Sequence, residues 1–335
     1  MPSPVPIIAI TGINGFVATE LVLLFLAREW HVRGSVRTPD KAAAVKTHPA
    51  YERFFQQGSL EVVVVEDLDE SDLGPLMEGV QAVAHLAAPL PKLDDPSLTL
   101  DDFKRPIVEP VLRILQQAHK PSSTIKSIAF MSSAASSVDL GAPPGKVYTE
   151  NNWTPYTDED CKSLDPHQNP MASVIWYFTA KKQAEQAAFE FHKIHQPAFS
   201  ITTFCPPMIY GPAHYLQPGT NMSTVTGSQE GFVSLFKGRD APLPGQFFWS
   251  FVDVRDVVDA FHVALTKTVS GRFLVSGHEY TWQEFTDKLQ LIRPDLSSFF
   301  PLGQPKCKSE GGGYTPAKWA FDSKKLREEL GIECM

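Results

Sequence analysis

The sequence predicts an α/β fold in which a doubly wound parallel sheet is joined to a smaller C-terminal lobe. Short, wholly apolar strands alternate with helical stretches, which is typical of a parallel sheet covered by helices on both faces. A glycine-rich turn follows the first strand, as in folds that bind nucleotides. The 335 residues, 43% hydrophobic and 20% charged, suffice for one large domain or two.

The elements follow from runs of apolar and β-branched residues and from the helical stretches between them. Strands are predicted at 5–11, 32–37, 60–65, 82–87, 125–131, 199–204 and 271–276. Helices are predicted at 20–30, 41–57, 71–78, 103–119, 172–195, 281–291 and 323–330.

The second part of the chain has a different composition. Residues 1–135 hold eight aromatic side chains and residues 136–335 hold 28. We therefore assign 1–205, with 251–276 returning to it, to a nucleotide-binding domain, and 206–250 with 277–335 to a smaller substrate-binding lobe. The aromatic side chains of that lobe either fill its core or line an apolar pocket.

Charge and cysteine content exclude several classes of protein. Thirty Lys and Arg against 38 Asp and Glu give a net charge of −8, which argues against a nucleic-acid partner. Four scattered cysteines without a CxxC pair predict neither a disulfide scaffold nor a metal site. No signal peptide or membrane-spanning run is present, so we expect a cytoplasmic protein without a membrane partner. A monomer and a homodimer both remain open.

The turn after the first strand has the spacing GxxGxxA. Gly12 allows the tight turn, Gly15 lets the backbone approach a pyrophosphate, and Ala18 lets the helix pack closely on the strand. The N-terminus of that helix would hold the phosphate charge. This is the phosphate-binding turn of a Rossmann domain, and its predicted cofactor contacts are Gly12, Asn14, Gly15, Phe16 and Val17.

The end of the second strand indicates which dinucleotide binds. An NAD enzyme usually has a carboxylate there for the ribose 2′-hydroxyl. This chain has Arg37, followed by Lys41, which suits the 2′-phosphate of NADP. The alternative is a solvated arginine at the start of a loop.

A YxxxK pair, Tyr177 and Lys181, lies in the stretch 172–195, where residues four apart share a helix face. A free phenol has a pKa of about 10, and an ammonium group one turn away is expected to lower it toward neutral pH. The same spacing recurs at 314–318, but Pro316 interrupts it.

Ser133 supports this assignment because it lies at the end of the fifth strand, and doubly wound sheets present ligands at the carboxyl ends of their strands. There its hydroxyl would bond a substrate carbonyl oxygen while Tyr177 delivers the proton. Taken alone, a serine pair at this place is a common turn.

Together these segments resemble an extended short-chain dehydrogenase/reductase of the dihydroflavonol reductase-like and fungal aldehyde/ketone reductase branch. The resemblance runs from Ile7 to about Ser276 and rests on segments spread along the chain: TGxxGFV at 11–17, VRGSVR at 32–37, EDL at 66–68, HLAAP at 85–89, FMSS at 130–133, YFxxKxxAEQ at 177–186, PxxxxGP at 206–212 and FVDVRD at 251–256.

The resemblance implies further roles. Ser133, the second serine of its pair, matches the catalytic position, and Lys181 would also bond the nicotinamide ribose. The remaining implied cofactor contacts are Asp67 and Leu68 beside the adenine, Leu86, Ala87 and Ala88 along the channel, and Pro206 and Met208 beside the nicotinamide. Family members use NADPH to reduce a carbonyl group to an alcohol.

The chain departs from the family at two places. An insertion at 141–145 resembles the fungal members, and Pro110 stands where the family commonly has Gly, which predicts a kinked helix. Substrate contacts therefore do not transfer. Candidates that are equally compatible with packing roles are Leu90, Ser136, Met171, Pro207, Tyr210 and Trp249, with Pro91 and Phe247 beside them.

These observations predict an NADPH-dependent oxidoreductase that reduces an apolar or aromatic aldehyde or ketone. The alternative is an NAD-dependent sugar-nucleotide epimerase or dehydratase of the same fold, against which Arg37 argues. A non-enzymatic cofactor sensor is a third class, and such proteins typically lack a Tyr–Lys pair.

Overall fold

The computed structural model describes residues 5–88, 93, 95–217, 219–303, 314 and 317–335. Its strands are β1 (Ile7–Thr11), β2 (His31–Val36), β3 (Leu60–Val64), β4 (Ala82–His85), β5 (Ser127–Met131), β6 (Lys146–Tyr148), β7 (Ser200–Cys205), β8 (Met208–Tyr210), β9 (Ser250–Asp253), β10 (Gly271–Leu274), β11 (His278–Glu279) and β12 (Trp319–Phe321).

The α-helices are α1 (Phe16–Ala27), α2 (Pro39–Lys46), α3 (Glu52–Gln56), α4 (Gly74–Met77), α5 (Leu100–Ala118), α6 (Asp158–Lys162), α7 (Ala172–His195), α8 (Ser228–Ser234), α9 (Val254–Thr266), α10 (Trp282–Ile292) and α11 (Lys324–Leu330). Short 3₁₀ turns lie at Ala134–Ser136, Met222–Thr224 and Pro294–Phe299. None of the helices in the described part of the chain is both long and apolar enough to cross a bilayer.

The central sheet has seven strands in the order β10-β7-β5-β4-β1-β2-β3. Every neighbouring pair in it is parallel. The chain starts in the middle at β1, winds outward to β3, and then returns to β4 on the other side. The carboxyl ends of β1 and β4 therefore meet where the winding reverses, and ligands of such folds bind there. The predicted doubly wound Rossmann fold is confirmed.

The core lies on both faces of this sheet because successive side chains of a strand point to opposite sides. On β1, Ile8 and Ile10 face one side and share a buried cluster with Phe25 of α1. Ala9 faces the other side, in a cluster with Phe103 of α5. The helices that cover the second face, α5 and α7, also bound the site described below.

Smaller sheets extend the fold at its C-terminal edge. One has the order β11-β9-β8 and another pairs β12 with β6. An aromatic cluster beside them includes Tyr210, Tyr280 and Trp282, all buried. Leu326 of α11, however, lies in the same cluster as α1 and α9. The division into two domains at the predicted boundaries stays a prediction.

Several helices differ from the predicted ones. α1 begins at Phe16, immediately after the turn, rather than at residue 20. The stretch 41–57 forms two helices, α2 and α3, separated at a segment that contains Pro49, which cannot donate a helical hydrogen bond. α9 was not predicted, although Asp253 caps it by accepting a hydrogen bond from the N–H of Arg255.

Candidate active site

The turn between β1 and α1 requires its glycines. Gly12 has φ +71°, and a Cβ atom placed on it would lie 3.1 Å from the Cβ of Ala87. The N–H of Gly12 donates to the carbonyl of Ser35 at 2.9 Å, and that of Gly15 donates to the carbonyl of Gly12 at 2.9 Å. The backbone at the start of α1 is thereby exposed to the cleft between β1 and β4.

Thr11 joins the two strands that border this turn. Its hydroxyl accepts hydrogen bonds from the N–H groups of Leu86 and Ala87, each at 3.0 Å. The same oxygen lies 3.0 Å from Nδ1 of His85. Burial, together with the charge of Lys181, lowers the pKa of His85 to about 3. The ends of β1 and β4 are thus held together by one side chain.

A cleft of about 670 Å³ opens over these strand ends. Ten of the predicted cofactor residues line it: Gly12, Asn14, Gly15, Arg37, Lys41, Asp67, Leu68, Leu86, Ala87 and Ala88. Its size lies within the range of small-molecule and cofactor sites, and the turn at its base offers backbone N–H groups to a phosphate. The residues present therefore fit a bound dinucleotide.

Phe16 and Val17 do not line this cleft. They begin α1 and pack against the core cluster beneath the sheet, and the ring of Phe16 lies 5.7 Å from that of Tyr215. Their side chains support the helix, so any contact with a cofactor would come from their backbone N–H groups.

Sequence reasoning missed ten residues that line the cleft. Five lie in β2 or in the segment after β3, and are Ser35, Val36, Val65, Glu66 and Asp69. The other five come from α5 and from the segment before α8, and are Arg105, Pro106, Pro110, Thr226 and Gly227. Arg105 forms ion pairs with Asp69, at 2.7 Å, and with Glu70, and so connects α5 to the loop after β3. For these last five, the only sequence signal was the position of the two prolines inside a helical stretch.

The cations predicted to bind a 2′-phosphate lie at one end of the cleft. Arg37 is exposed just after β2, and Lys41 is half-buried in the first turn of α2. Neither forms an ion pair with any described residue. Both charges are therefore available to an anionic ligand.

The structure brings Ser133, Tyr177 and Lys181 together. Ser133 follows β5 and caps a 3₁₀ turn, where its hydroxyl accepts a hydrogen bond from the N–H of Ala135 at 3.2 Å. The side chain of Tyr177, on α7, interacts with that of Ser133. Lys181 lies one helical turn further, and its Nζ atom is 5.9 Å from the centre of the Tyr177 ring.

The expected effect of Lys181 on Tyr177 is corrected by this geometry. Burial raises the pKa of Tyr177, and the neighbouring Ser133 side chain opposes this rise. Lys181 donates to the carbonyl of Met131 at 3.4 Å, and burial lowers its pKa to about 8. The desolvation of the phenol, rather than the charge of Lys181, sets the direction of the shift in the pKa of Tyr177.

Pro206 and Met208 follow β7 beside this group. The carbonyl of Pro206 accepts a hydrogen bond from the N–H of Ala134 at 2.9 Å, which ties it to the turn after Ser133. Met208 packs with Tyr177 in one hydrophobic cluster. Neither residue lines the large cleft.

The substrate candidates fall into three groups. Trp249 and Phe247 pack in the same cluster as Tyr177, and Met171 is exposed just before α7. Ser136, Pro207 and Tyr210 are buried in the interior, and the Tyr210 hydroxyl pairs with that of Tyr280 at 2.9 Å, as the packing alternative predicts. Leu90 and Pro91 lie outside the described residues.

Among the residues described, no group of three or more His, Cys, Asp or Glu side chains is placed to hold a metal ion.

Known proteins resemble this chain over most of its length. The NAD dependent epimerase/dehydratase family matches residues 8–275. An uncharacterized oxidoreductase of Schizosaccharomyces pombe is 32% identical over 330 residues, which cover 92% of each chain. The NADPH-dependent methylglyoxal reductase GRE2 of Saccharomyces cerevisiae is 28% identical over 337 residues, covering 97% of this chain and 92% of the relative.

A solved structure supports the same relationship. The yeast methylglyoxal/isovaleraldehyde reductase Gre2, complexed with NADPH, superposes with a TM-score of 0.79 at 27% identity. The match covers 98% of this chain and 94% of that one. The resemblance to extended dehydrogenases found in the sequence is confirmed by these findings.

Proposed function

The chain belongs to the NAD dependent epimerase/dehydratase family, and on that premise we propose that it is an NADPH-dependent reductase that converts an aldehyde or ketone to the alcohol. Relatives that are named NADPH-dependent methylglyoxal reductase and ketoreductase support this activity. The observation that carries it is the meeting of Ser133, Tyr177 and Lys181 near Ala88, which lines both the small cavity that Lys181 borders and the cleft with unpaired cations at one end. None of the three catalytic candidates lines that cleft itself.

Each group of the site has a distinct task in this reaction. When bound, NADPH would supply the hydride for this reduction. The Ser133 hydroxyl donates a hydrogen bond to the carbonyl oxygen, and the Tyr177 hydroxyl gives its proton to that oxygen as negative charge develops. The raised pKa of Tyr177 keeps this proton on the phenol until the transfer. The ammonium group of Lys181 then stabilises the phenolate that remains.

The cofactor would be held along the cleft. The backbone N–H groups at the start of α1 face the pyrophosphate, as Gly12 and Gly15 allow. Arg37 and Lys41 bind the 2′-phosphate, and one such charge-assisted bond contributes roughly 1.5–3 kcal/mol. NADH lacks the 2′-phosphate, so among these contacts only those with that phosphate distinguish NADPH from NADH.

We place an apolar or aromatic carbonyl compound next to Tyr177. Met208, Phe247 and Trp249, all partly buried, belong to the same hydrophobic cluster as Tyr177. These apolar side chains suit an uncharged group.

The epimerase or dehydratase alternative is not favoured by any observation of the site. Its substrates carry a diphosphate, which needs cations near the catalytic tyrosine, and the cluster around Tyr177 is aromatic. Arg37 occupies the position where an NAD enzyme usually has a carboxylate. A cytoplasmic location, a monomer or homodimer, and the lack of a nucleic-acid partner stay predictions.

The test is a binding titration of the purified protein with NADPH and with NADH, followed by turnover of a panel of aromatic aldehydes and ketones. We expect NADPH to bind at least about tenfold more tightly, the low end of the effect of Arg37. We also expect oxidation of NADPH that depends on the carbonyl compound. Equal affinities, or protein that retains bound NAD through purification, would contradict the proposal and favour the epimerase.

A further inference from the structure

A buried arginine lies on β10, the strand at the edge of the central sheet. It is close to the catalytic group, by which we mean Ser133, Tyr177 and Lys181. Arg272 of β10 is 5% exposed, and all five of its N–H groups have acceptors. Nε donates to Glu185 at 2.8 Å, one terminal nitrogen donates to the carbonyls of Glu150 (2.6 Å) and Asn152 (2.7 Å), and the other donates to the hydroxyls of Ser136 and Ser137, both at 2.8 Å.

Glu185 of α7 is the charged partner of this arginine and is 1% exposed. Its first carboxylate oxygen accepts a hydrogen bond from Ser132 at 2.7 Å. Its second oxygen accepts from Arg272, from Thr203 at 2.8 Å and from the thiol of Cys205 at 3.2 Å. The carboxylate therefore joins α7 to β5, β7 and β10 at one point.

These contacts enclose Ser133 on both sides. The preceding residue, Ser132, is bonded to Glu185. Ser136, which follows three residues later, donates to the carbonyl of Ser133 at 2.8 Å and accepts from Arg272. The position of the Ser133 hydroxyl relative to α7 thus depends on the ion pair.

The same carboxylate lies beside Lys181. Tyr177, Lys181 and Glu185 are spaced four residues apart on one face of α7. Lys181 and Glu185 line a small cavity of about 20 Å³ together with His85. No other carboxylate of the described residues lines that cavity.

We propose that Glu185 and Arg272 are positioning residues for the reduction, which hold the Ser133 turn against α7 and keep Lys181 in its charged form. The inference rests on the proposed function, because it assigns these residues to the same catalytic group. Neither residue lines the large cleft.

The charges around Lys181 agree with this assignment. Burial lowers its pKa to about 8, and the charge of Glu185 opposes that fall. Cys205 on β7 keeps its thiol proton, because burial raises its pKa to about 12. The other titratable groups that face it are His85 of β4 and Tyr177 on its own helix. Glu185 is itself kept ionised, because its pKa is lowered by Arg272 and by serine hydroxyls against the effect of burial.

Stability alone does not account for the ion pair. Replacing a buried pair with apolar side chains of similar volume is often neutral or stabilising. Glu185 lines a cavity with Lys181 and accepts a hydrogen bond from Ser132, the neighbour of Ser133. Arg272 donates to Ser136, which in turn donates to the carbonyl of Ser133. A role in the site explains this placement.

The test compares Glu185→Gln with Glu190→Gln. Glu190 lies on the same helix, but it is exposed and pairs only with Lys193 among the described residues. We expect Glu185→Gln to lower kcat about tenfold or more, while the Kd for NADPH stays within about twofold. Without the carboxylate, Lys181 loses its proton at lower pH, so the alkaline decline of kcat/KM shifts down by about one pH unit. Glu190→Gln should match the wild type.

Ser132→Ala separates the two tasks and serves if Glu185→Gln does not fold. It removes the bond between the turn and the carboxylate without altering any charge. We expect a lower kcat with an unshifted alkaline decline.

A direct readout does not depend on turnover. Proteins labelled with ¹³C at lysine Cε are titrated by NMR, with the Lys181 signal assigned from Lys181→Met. The Lys181 signal should titrate at lower pH in Glu185→Gln than in the wild type. A folded Glu185→Gln with unchanged kcat and an unshifted Lys181 titration overturns the inference. A wild type that reduces no carbonyl while the Lys181 titration shifts would contradict the proposed function alone.

Discussion

The two ends of the site are built in different ways. At the catalytic end, the side chain of Tyr177 interacts with that of Ser133, and a buried ion pair holds the turn that carries this serine. At the other end, Arg37 is exposed and Lys41 half-buried, and neither has an ionic partner in the described part of the chain. The fold alone orders the side chains of the catalytic end. At the other end, the side chains of Arg37 and Lys41 become ordered only when an anionic ligand binds them.

This difference has consequences for substitution. Groups that are buried and mutually bonded are linked to folding, so their replacement changes rate and stability together. Exposed cations can be replaced with little effect on the fold, and their loss changes affinity. The predictions below test this contrast, from the largest expected effect to the smallest.

Tyr177→Phe would break the catalytic end most directly. Loss of the phenolic proton donor should lower kcat by about 10²- to 10⁴-fold, with the Kd for NADPH little changed. The matched control is Tyr314→Phe, in the second YxxxK sequence, because the Tyr314 hydroxyl donates to Asp287 at 3.1 Å, on α10. Steady-state kinetics with one accepted carbonyl compound measure both. A Tyr177→Phe enzyme with wild-type kcat would contradict the mechanism.

Arg272→Met tests whether the catalytic end is linked to folding. Removal of the guanidinium leaves Glu185 buried without its counterion, and such a loss costs about 3–5 kcal/mol in the free energy of unfolding. Denaturant unfolding monitored by circular dichroism measures it. The double variant Glu185→Leu with Arg272→Met should recover part of that loss, because no buried charge remains. A loss below about 1 kcal/mol in the single variant would show that the pair is not coupled to the fold.

Arg37→Ala tests the other end. The preference for NADPH over NADH should fall by about 10- to 150-fold, because one charge-assisted bond of roughly 1.5–3 kcal/mol is lost. The free energy of unfolding should not change. Fluorescence titrations with both cofactors measure the preference, and Arg28→Ala, at the exposed end of α1, is the control. An unchanged preference would remove Arg37 from the cofactor site.

Lys181 gives the catalytic end a pH signature in stability. Its pKa is lowered to about 8 in the folded protein from 10.5, so between these values the unfolded chain binds the extra proton. Stability relative to Lys181→Met should therefore rise with pH, by about 2 kcal/mol between pH 8 and 10. Urea unfolding at several pH values measures this slope. Lys193→Met, which replaces an exposed lysine of the same helix, is the control variant.

Local features of the fold and site were predictable from sequence. The strand before Gly12 and the glycine spacing are contiguous, and they predicted the turn and the start of the cleft. The spacing of Tyr177 and Lys181 placed them on one helix face without knowledge of any partner. The strand at 271–276 was also recognised from its apolar pattern, although it ends at Leu274.

Contacts between distant segments were not predictable in the same way. Arg272 and Glu185 are 87 residues apart, and only the order of strands in the sheet brings them together. Arg105 and Thr226 reach the cleft from two other segments, with no local pattern that points there. The pKa of Tyr177 was mispredicted for the same reason, since burial depends on the whole fold and outweighs the charge of a neighbour one turn away.

The contacts of Thr11 determine the tautomer of His85. A hydroxyl group has two lone pairs and one proton, and both lone pairs of Thr11 accept from the N–H groups of Leu86 and Ala87. Its proton must therefore go to Nδ1 of His85, which leaves the imidazole neutral with its own proton on Nε2. An imidazolium there would lose this bond and place a second positive charge beside Lys181. Mild acid thus leaves the junction of β1 and β4, and the glycine turn that it supports, in the same protonation state as at neutral pH.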